Sequence, residues 1–318
     1  MLAPAPPRFS DTTCCPRNSE SFGATTRAMV SVPPPGGGTD TMARAIAPKL
    51  SELLGQQVVP ENRGGAGANI GAEVAAKAAP DGYTLMLATI TNAIGATLYT
   101  KLNYDLVRDF APITRLATTP HILVVHPSVP VKTVKEFTAF ARARPGELTY
   151  SSSGAGSAAH LAGELFSSLT GVKMVHVPYK GGGPSMIALV GGEVSVCFAT
   201  MPSAVGYVRS GRLRGIAVTT DKRSPSMPEL PTIAETGVAG YEAGSWYGLS
   251  APAGTSKEII ARLHGETMKV MALPDIKERL FNAGFEVVTS SPEQFAAFTR
   301  SEIQKWGKLV KATGLKAD

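Results

Sequence analysis

Small hydroxyl side chains mark the places where this chain could do chemistry. Thr39, Thr89, Thr91, Ser152, Ser153, Ser157, Thr200 and Ser203 each stand close behind a short apolar run. A hydroxyl both donates and accepts, so a group of them suits a carboxylate without supplying charge. Four glycine loops accompany them, at 36–38, 64–67, 154–156 and 181–183, and each leads into a helical pattern. Glycine lets the backbone come close to a ligand, and the first N–H groups of a helix have no partner of their own. A strand, glycine loop and helix in succession therefore form an anion cradle, each terminus contributing about 0.3–1 kcal/mol and more where buried. The stretch Pro34, Gly36, Gly37, Gly38, Thr39, Asp40 is the clearest case, with Thr39 or Asp40 expected as the helix cap. Facing candidates are Thr89, Thr91 and Asn92 in one half, and Ser152, Ser153, Gly154, Ser157, His160, Thr200 and Ser203 in the other. Trp246 and Tyr247 are candidates for an apolar wall.

Other chemistries lack parts. Gly154-Ala155-Gly156-Ser157-Ala158-Ala159 fits the dinucleotide fingerprint, but the next strand ends Val177-Pro178-Tyr179-Lys180 without the acidic residue a ribose needs. Lys180 precedes its glycines, so there is no P-loop, and Gly244-Ser245-Trp246-Tyr247-Gly248 is one residue off a nucleophile elbow. His160 could reach Ser153 or Ser157, although a histidine in a first helical turn more often packs or caps. No pair of carboxylates is placed for acid–base work. The five histidines are scattered and the cysteines lack metal spacing, so neither a metal nor a cofactor is expected.

The elements that would position these residues alternate. Strands are expected at 28–32, 57–59, 83–88, 110–114, 122–125, 148–151, 174–177, 194–198, 213–218 and 286–288. Between them lie helical patterns, for example Met42, Ile46, Leu50, Leu53 and Leu54 on one face, and Leu161, Leu165, Phe166 and Leu169 on another. Three helices close the chain, at 257–271, 274–283 and 292–312. This is α/β class with mostly parallel sheets, and ligands of such sheets bind at the carboxyl ends of the strands. Prolines at 127 and 130 and the segment 241–251 read as crossings between two lobes.

A length of 318 residues also points to two lobes, and 43% hydrophobic content is ample for their cores. The net charge of +6 is spread along the chain, which gives no support to nucleic-acid binding. No run of about 18 apolar residues exists. Residues 1–23 hold four prolines, and Cys14 beside Cys15 is poorly placed for a disulfide; the stretch reads as a disordered leader without the apolar core of a secretory signal.

Several motifs occur in order: Pro34-Pro35-Gly36-Gly37-Gly38-Thr39-Asp40, Glu61-Asn62-Arg63 with Gly65-Ala66-Gly67, Ala79-Pro80-Asp81-Gly82-Tyr83-Thr84, His160-Leu161-Ala162-Gly163-Glu164, Val177-Pro178-Tyr179-Lys180-Gly181, Ala251-Pro252-Ala253-Gly254-Thr255 and Trp306. Together they resemble the Bug-type substrate-binding proteins of tripartite tricarboxylate transporters, from about Ala28 to the C-terminus. The resemblance implies a two-lobed periplasmic binding protein type II fold, with two mostly parallel sheets flanked by helices and a ligand cleft between the lobes. Residues 24–124 and 248–318 would form one lobe and 125–247 the other. It implies a non-catalytic receptor for a small organic carboxylate, held through N–H groups, hydroxyls and waters, and delivered to membrane transporter subunits. It adds Tyr179 to the ligand-binding candidates, and implies a monomer in the periplasm. Residues 1–28 contain no recognisable signal peptide, and a displaced start or reading frame would reconcile the two. Pro33 stands where the family often has an aromatic residue. Ala199 replaces a frequent aspartate, which favours a ligand without an ammonium group. The alternatives are an α/β enzyme acting on a carboxylate in the same cleft, or a ligand sensor without a transporter.

Overall fold

The computed structural model describes residues 28–32, 36–63 and 68–313. The expected leader at 1–23, Pro33, Pro34 and the glycine loop at 64–67 lie outside the described residues.

Two sheets share one strand. β1 (Ala28–Val32) is flanked in parallel by β2 (Val58–Asn62) and β3 (Thr84–Thr89). The sheet continues antiparallel through β9 (Gly244–Pro252) to β4 (Phe110–Val125), on whose far side lies β10 (Glu286–Val287). In the second sheet β5 (Thr149–Ser152) is parallel to β6 (Val175–Pro178) and β7 (Val196–Thr200). The far end of β4 runs antiparallel to β7 and β8 (Arg214–Val218). The parallel pairs are the βα units, and the antiparallel pairs belong to the strands that pass between the lobes. This is a two-lobed α/β architecture, as the resemblance implies.

Two strands, at 110–114 and 122–125, were expected where one runs for 16 residues. Its prolines suggest breaks, because proline cannot donate to a ladder. Pro112 is followed by a shift of register against β9, while Pro120 stands where β4 leaves one sheet and His121 begins pairing with Thr200 in the other. The missing N–H therefore falls where the ladder changes partners, and β4 itself is the crossing.

Helices cover both sheets. α1 (Gly38–Leu54) packs Met42, Ile46 and Leu50 against Leu85, Leu87 and Leu249, as its apolar spacing requires. α2 (Asn69–Ala76) follows β2, and α4 (Val134–Arg142) and α5 (Ala158–Thr170) bring Phe137 and Phe166 to Tyr150 and Phe198 in the second core. α6 (Gly182–Val190) carries Pro184 in its first turn, where its missing N–H costs nothing. α8 (Lys257–Ala272), α9 (Pro274–Asn282) and α10 (Pro292–Thr313) close the first lobe.

Two further helices, α3 (Ile90–Leu98) and α7 (Met201–Arg209), lie in segments that read as polar strand ends. Both start on the residue after their strand, with no glycine to signal the change. The Asn92 side chain accepts the Thr89 N–H at 3.0 Å to start α3, and Pro202 sits in the first turn of α7.

Phe295 of α10 lies against β9 so closely that a Cβ on Gly248 would overlap its ring. Gly248→Ala is expected to destabilise the first lobe by about 1–3 kcal/mol through overpacking, read as a lower midpoint in urea with an unchanged slope.

Candidate functional site

A cavity of about 90 Å³ lies between the two sheets, at the carboxyl ends of the βα strands. It has room for several water-sized groups. Its lining mixes small hydroxyl side chains with glycine and apolar residues and contains no charged side chain.

Six helices start at this cavity. Gly37, Ala68, Thr89, Ser157, Gly181 and Thr200 are the N-cap residues of α1, α2, α3, α5, α6 and α7, and every one of them lines it. Each brings N–H groups without intrahelical partners and the positive end of a helix dipole. Away from the cavity, α4, α8 and α10 begin with satisfied caps: Thr133, Ser256 and Ser291 accept the N–H groups of Glu136, Ile259 and Gln294. Among the cradle caps, Ser157 accepts the His160 N–H at 3.3 Å, while Gly37, Ala68, Gly181 and Thr200 make no such bond. Ala68 adopts a left-handed φ of 70°, a conformation that costs a non-glycine residue about 1–2 kcal/mol. The arrangement can hold an anion by backbone alone.

Of the residues expected from the sequence, Gly37, Gly38, Thr39, Thr89, Thr91, Ser153, Ser157, Thr200 and Ser203 line this cavity together. Several of the other described residues support its walls. Asp40 does not cap α1: its carboxylate accepts from Arg44 at 2.8 Å, Asn62 at 3.1 Å and the Gly36 N–H at 3.2 Å, tying the glycine loop to β2. Asn92 is spent on Thr89, and Ser152 on Gly154 and on His176 at 2.7 Å. His160 accepts the Gly156 N–H on Nδ1 at 3.1 Å, which leaves its proton on Nε2, 3.8 Å from Glu164. Its ring stacks on His176 at 3.9 Å, so it braces the 153–157 loop from behind. Tyr179 reaches Glu193, outside the cavity. Trp246 points away from it, donating to Glu302 at 2.9 Å and packing on Phe295 and Phe298, whereas its neighbour Tyr247 lines the cavity. Alternation along β9 decides which of the two aromatics serves.

Ser185, Met186, Cys197, Ala199 and Ser245 also line the cavity. Cys197, expected as a small core residue, is buried and 3.7 Å from the Ser185 hydroxyl, which in turn donates to Ser151 at 2.8 Å. Nothing in its strand pattern separates its inward direction from ordinary core packing.

The lobes are closed on one another. A Cβ on Gly36 would lie 2.9 Å from the Gly183 Cα, and one on Gly182 would lie 3.2 Å from the Gly37 Cα. The first and last of the four glycine loops thus touch across the cleft, at a distance only glycines allow. The Tyr99 hydroxyl donates to the Ala155 carbonyl at 3.2 Å, a further bridge between lobes.

Comparison with known proteins agrees with this geometry. The profile of the family described as "Tripartite tricarboxylate transporter family receptor" matches residues 42–315. The chain belongs to that family. It is 36% identical to protein BugT of Bordetella pertussis over 303 residues, 95% of this chain and 93% of BugT. An R. palustris protein solved with adipate superposes with a TM-score of 0.88 at 39% identity, covering 92% of this chain and 99% of that one. MatC of Rhodopseudomonas palustris, solved with bound malate, gives 0.86 at 32% identity, covering 91% and 100%. The family consists of receptors, not enzymes. Among the described residues of this receptor, no helix is long and apolar enough to cross a membrane.

Two expectations follow. A Cβ on Gly38 would overlap the Tyr247 hydroxyl, so Gly38→Ala is expected to tilt that ring into the cavity and weaken carboxylate binding at least tenfold by calorimetry. Tyr247→Phe in the same chain should recover part of the loss. The second concerns His121, fully buried in the crossing strand and 2.7 Å from the Ser245 hydroxyl. Burial pushes its pKa down to about 4 from 6.5. A histidine that stays neutral when folded binds its proton more readily when unfolded. Its contribution of about 3 kcal/mol is therefore intact above pH 6.5 and lost as pH falls towards 4. His176, also pushed down to about 4 by burial and then by His160, acts in the same direction. The melting temperature should fall through this window, less steeply in His121→Gln.

Proposed function

We propose that this receptor captures a small organic carboxylate in the interlobe cleft and releases it to membrane subunits of a tripartite tricarboxylate-type transporter. The observation that carries the reading is the meeting of six helix N-caps on one cavity whose lining has no charged side chain. Such a site attracts negative charge and offers no carboxylate to a cation. Asp40, the nearest acid on the first lobe's loop, is already spent on Arg44, Asn62 and Gly36. With Ala199 in the lining, an ammonium group would find no partner. The ligand class is accordingly a mono- or dicarboxylate without an amino group, of the kind represented by the adipate and malate of its structural relatives.

Ser153, Ser157, Thr200 and Ser203 belong to the second lobe and face the distal end of the ligand, while Gly37, Gly38, Thr39, Thr89 and Thr91 hold the proximal carboxylate. The two bodies that close on it as a monomer are those expected at 24–124 with 248–318 and at 125–247, their boundaries drawn in to Pro120, where β4 changes sheet, and to Gly244, where β9 joins the first lobe's ladder. The periplasm is the compartment this role requires, by analogy with the periplasmic binding protein BugD.

A thermal-shift panel tests the reading. Adipate, malate and related acids should raise the melting temperature, and their neutral diamides should not. No shift with any acid, or equal shifts with the amides, would contradict it.

A further inference from the structure

A second and larger cavity, about 450 Å³, lies beside the crossing strands. Arg115, Phe298 and Trp306 wall it from the first lobe, and residues 220–226 from the second, with Pro120 and Ser245 between them. Ile90 and Ser245 also line the carboxylate cavity, so the two spaces share two residues of their walls.

Arg115 is the unusual group here. Its guanidinium lies over the Phe298 ring at 4.5 Å, and it donates no hydrogen bond to any described residue. Its Nε is sealed from solvent without an acceptor, the only charged group among the described residues in that condition. Leaving a buried donor unmade is costly, and more so for a charged group. Glu302 is near enough to favour the charge on Arg115 but makes no hydrogen bond to it; one of its oxygens accepts both the Trp246 indole at 2.9 Å and the Trp306 indole at 3.1 Å. Lys305 and Glu242 pair across the cavity at 3.7 Å, and Arg223 pairs with Glu235. Asp221, Lys222 and Glu286 are exposed at the rim. The guanidinium thus keeps an unmade donor at the inner end of the cavity, set among aromatic walls.

We propose that this cavity is a second binding site, for a small organic anion with a flat apolar body, its carboxylate on the Arg115 guanidinium and its body against Phe298 and Trp306. A guanidinium presents a planar fork that matches a carboxylate, and aromatic walls favour a planar partner. An occupant touching both lobes holds them in the closed arrangement, and so strengthens capture in the main cleft. That consequence rests on the function proposed above; occupancy of the second site does not.

The probe is 4-fluorobenzoate, followed by fluorine NMR line broadening on the whole protein. It should bind at least tenfold more tightly than 4-fluorobenzamide, and lose at least tenfold in Arg115→Gln. Thr39→Val, in the main cleft, should leave probe binding unchanged. Equal binding of the neutral amide, no effect of Arg115→Gln, or loss in Thr39→Val would overturn the second site. If Arg115→Gln does not fold, Lys222→Glu at the exposed rim decides, with at least threefold weaker binding expected and no change overturning the site. With the probe bound, adipate affinity in the main cleft should rise; an unchanged affinity would remove the coupling while leaving the site.

Discussion

Six helix N-termini aimed at one small space repel one another. Each carries about half a positive charge in unpaired N–H groups, and closing the lobes removes the water that would otherwise screen them. The same closure makes any anion inside far better held than it would be in either open lobe. Much else in the structure can be traced to this one electrostatic condition. The βα units put the helix starts at one edge of each sheet, and two crossing strands let the edges face each other. The cavity lining supplies hydroxyls in place of charges.

Closure then depends on backbone proximity. Gly36 and Gly37 meet Gly182 and Gly183 across the cleft, so the two lobes bring helix starts together without side chains between them. Behind this front, polar side chains hold the loops in shape: Asp40 ties its loop to Arg44 and Asn62, and His160 holds the Gly156 N–H. These residues do not touch the cavity, yet they set where its N–H groups point. Neutral, buried histidines suit that task because a charged ring near six dipole ends would add to the repulsion.

Much of this was legible in the sequence. Glycines ahead of an apolar helical stripe announced α1, α5 and α6, and the lack of any catalytic set left backbone recognition as the remaining chemistry. Thr39, Thr89, Ser153, Ser157 and Thr200 were visible as hydroxyls behind strands, and they do meet. What was hidden followed from local ambiguity. α3 and α7 begin without a glycine or a linker, so their first turns read as polar strand ends. The prolines of β4 looked like breaks because the change of ladder partner at Pro120 is a tertiary event. Trp246 and Tyr247 are adjacent and equally aromatic, and only the register of β9 against β3 and β4 sends one inward and the other out. Ser185 and Cys197 sit in ordinary apolar patterns, which carry no mark of a ligand.

The most direct measurement is a crystal structure of this receptor grown with adipate. The account predicts a carboxylate in the cleft with its oxygens about 3 Å from backbone N–H groups at the starts of α1 and α3 or of α5, α6 and α7. A carboxylate held instead by Arg or Lys side chains, or lying outside the cleft, would contradict it.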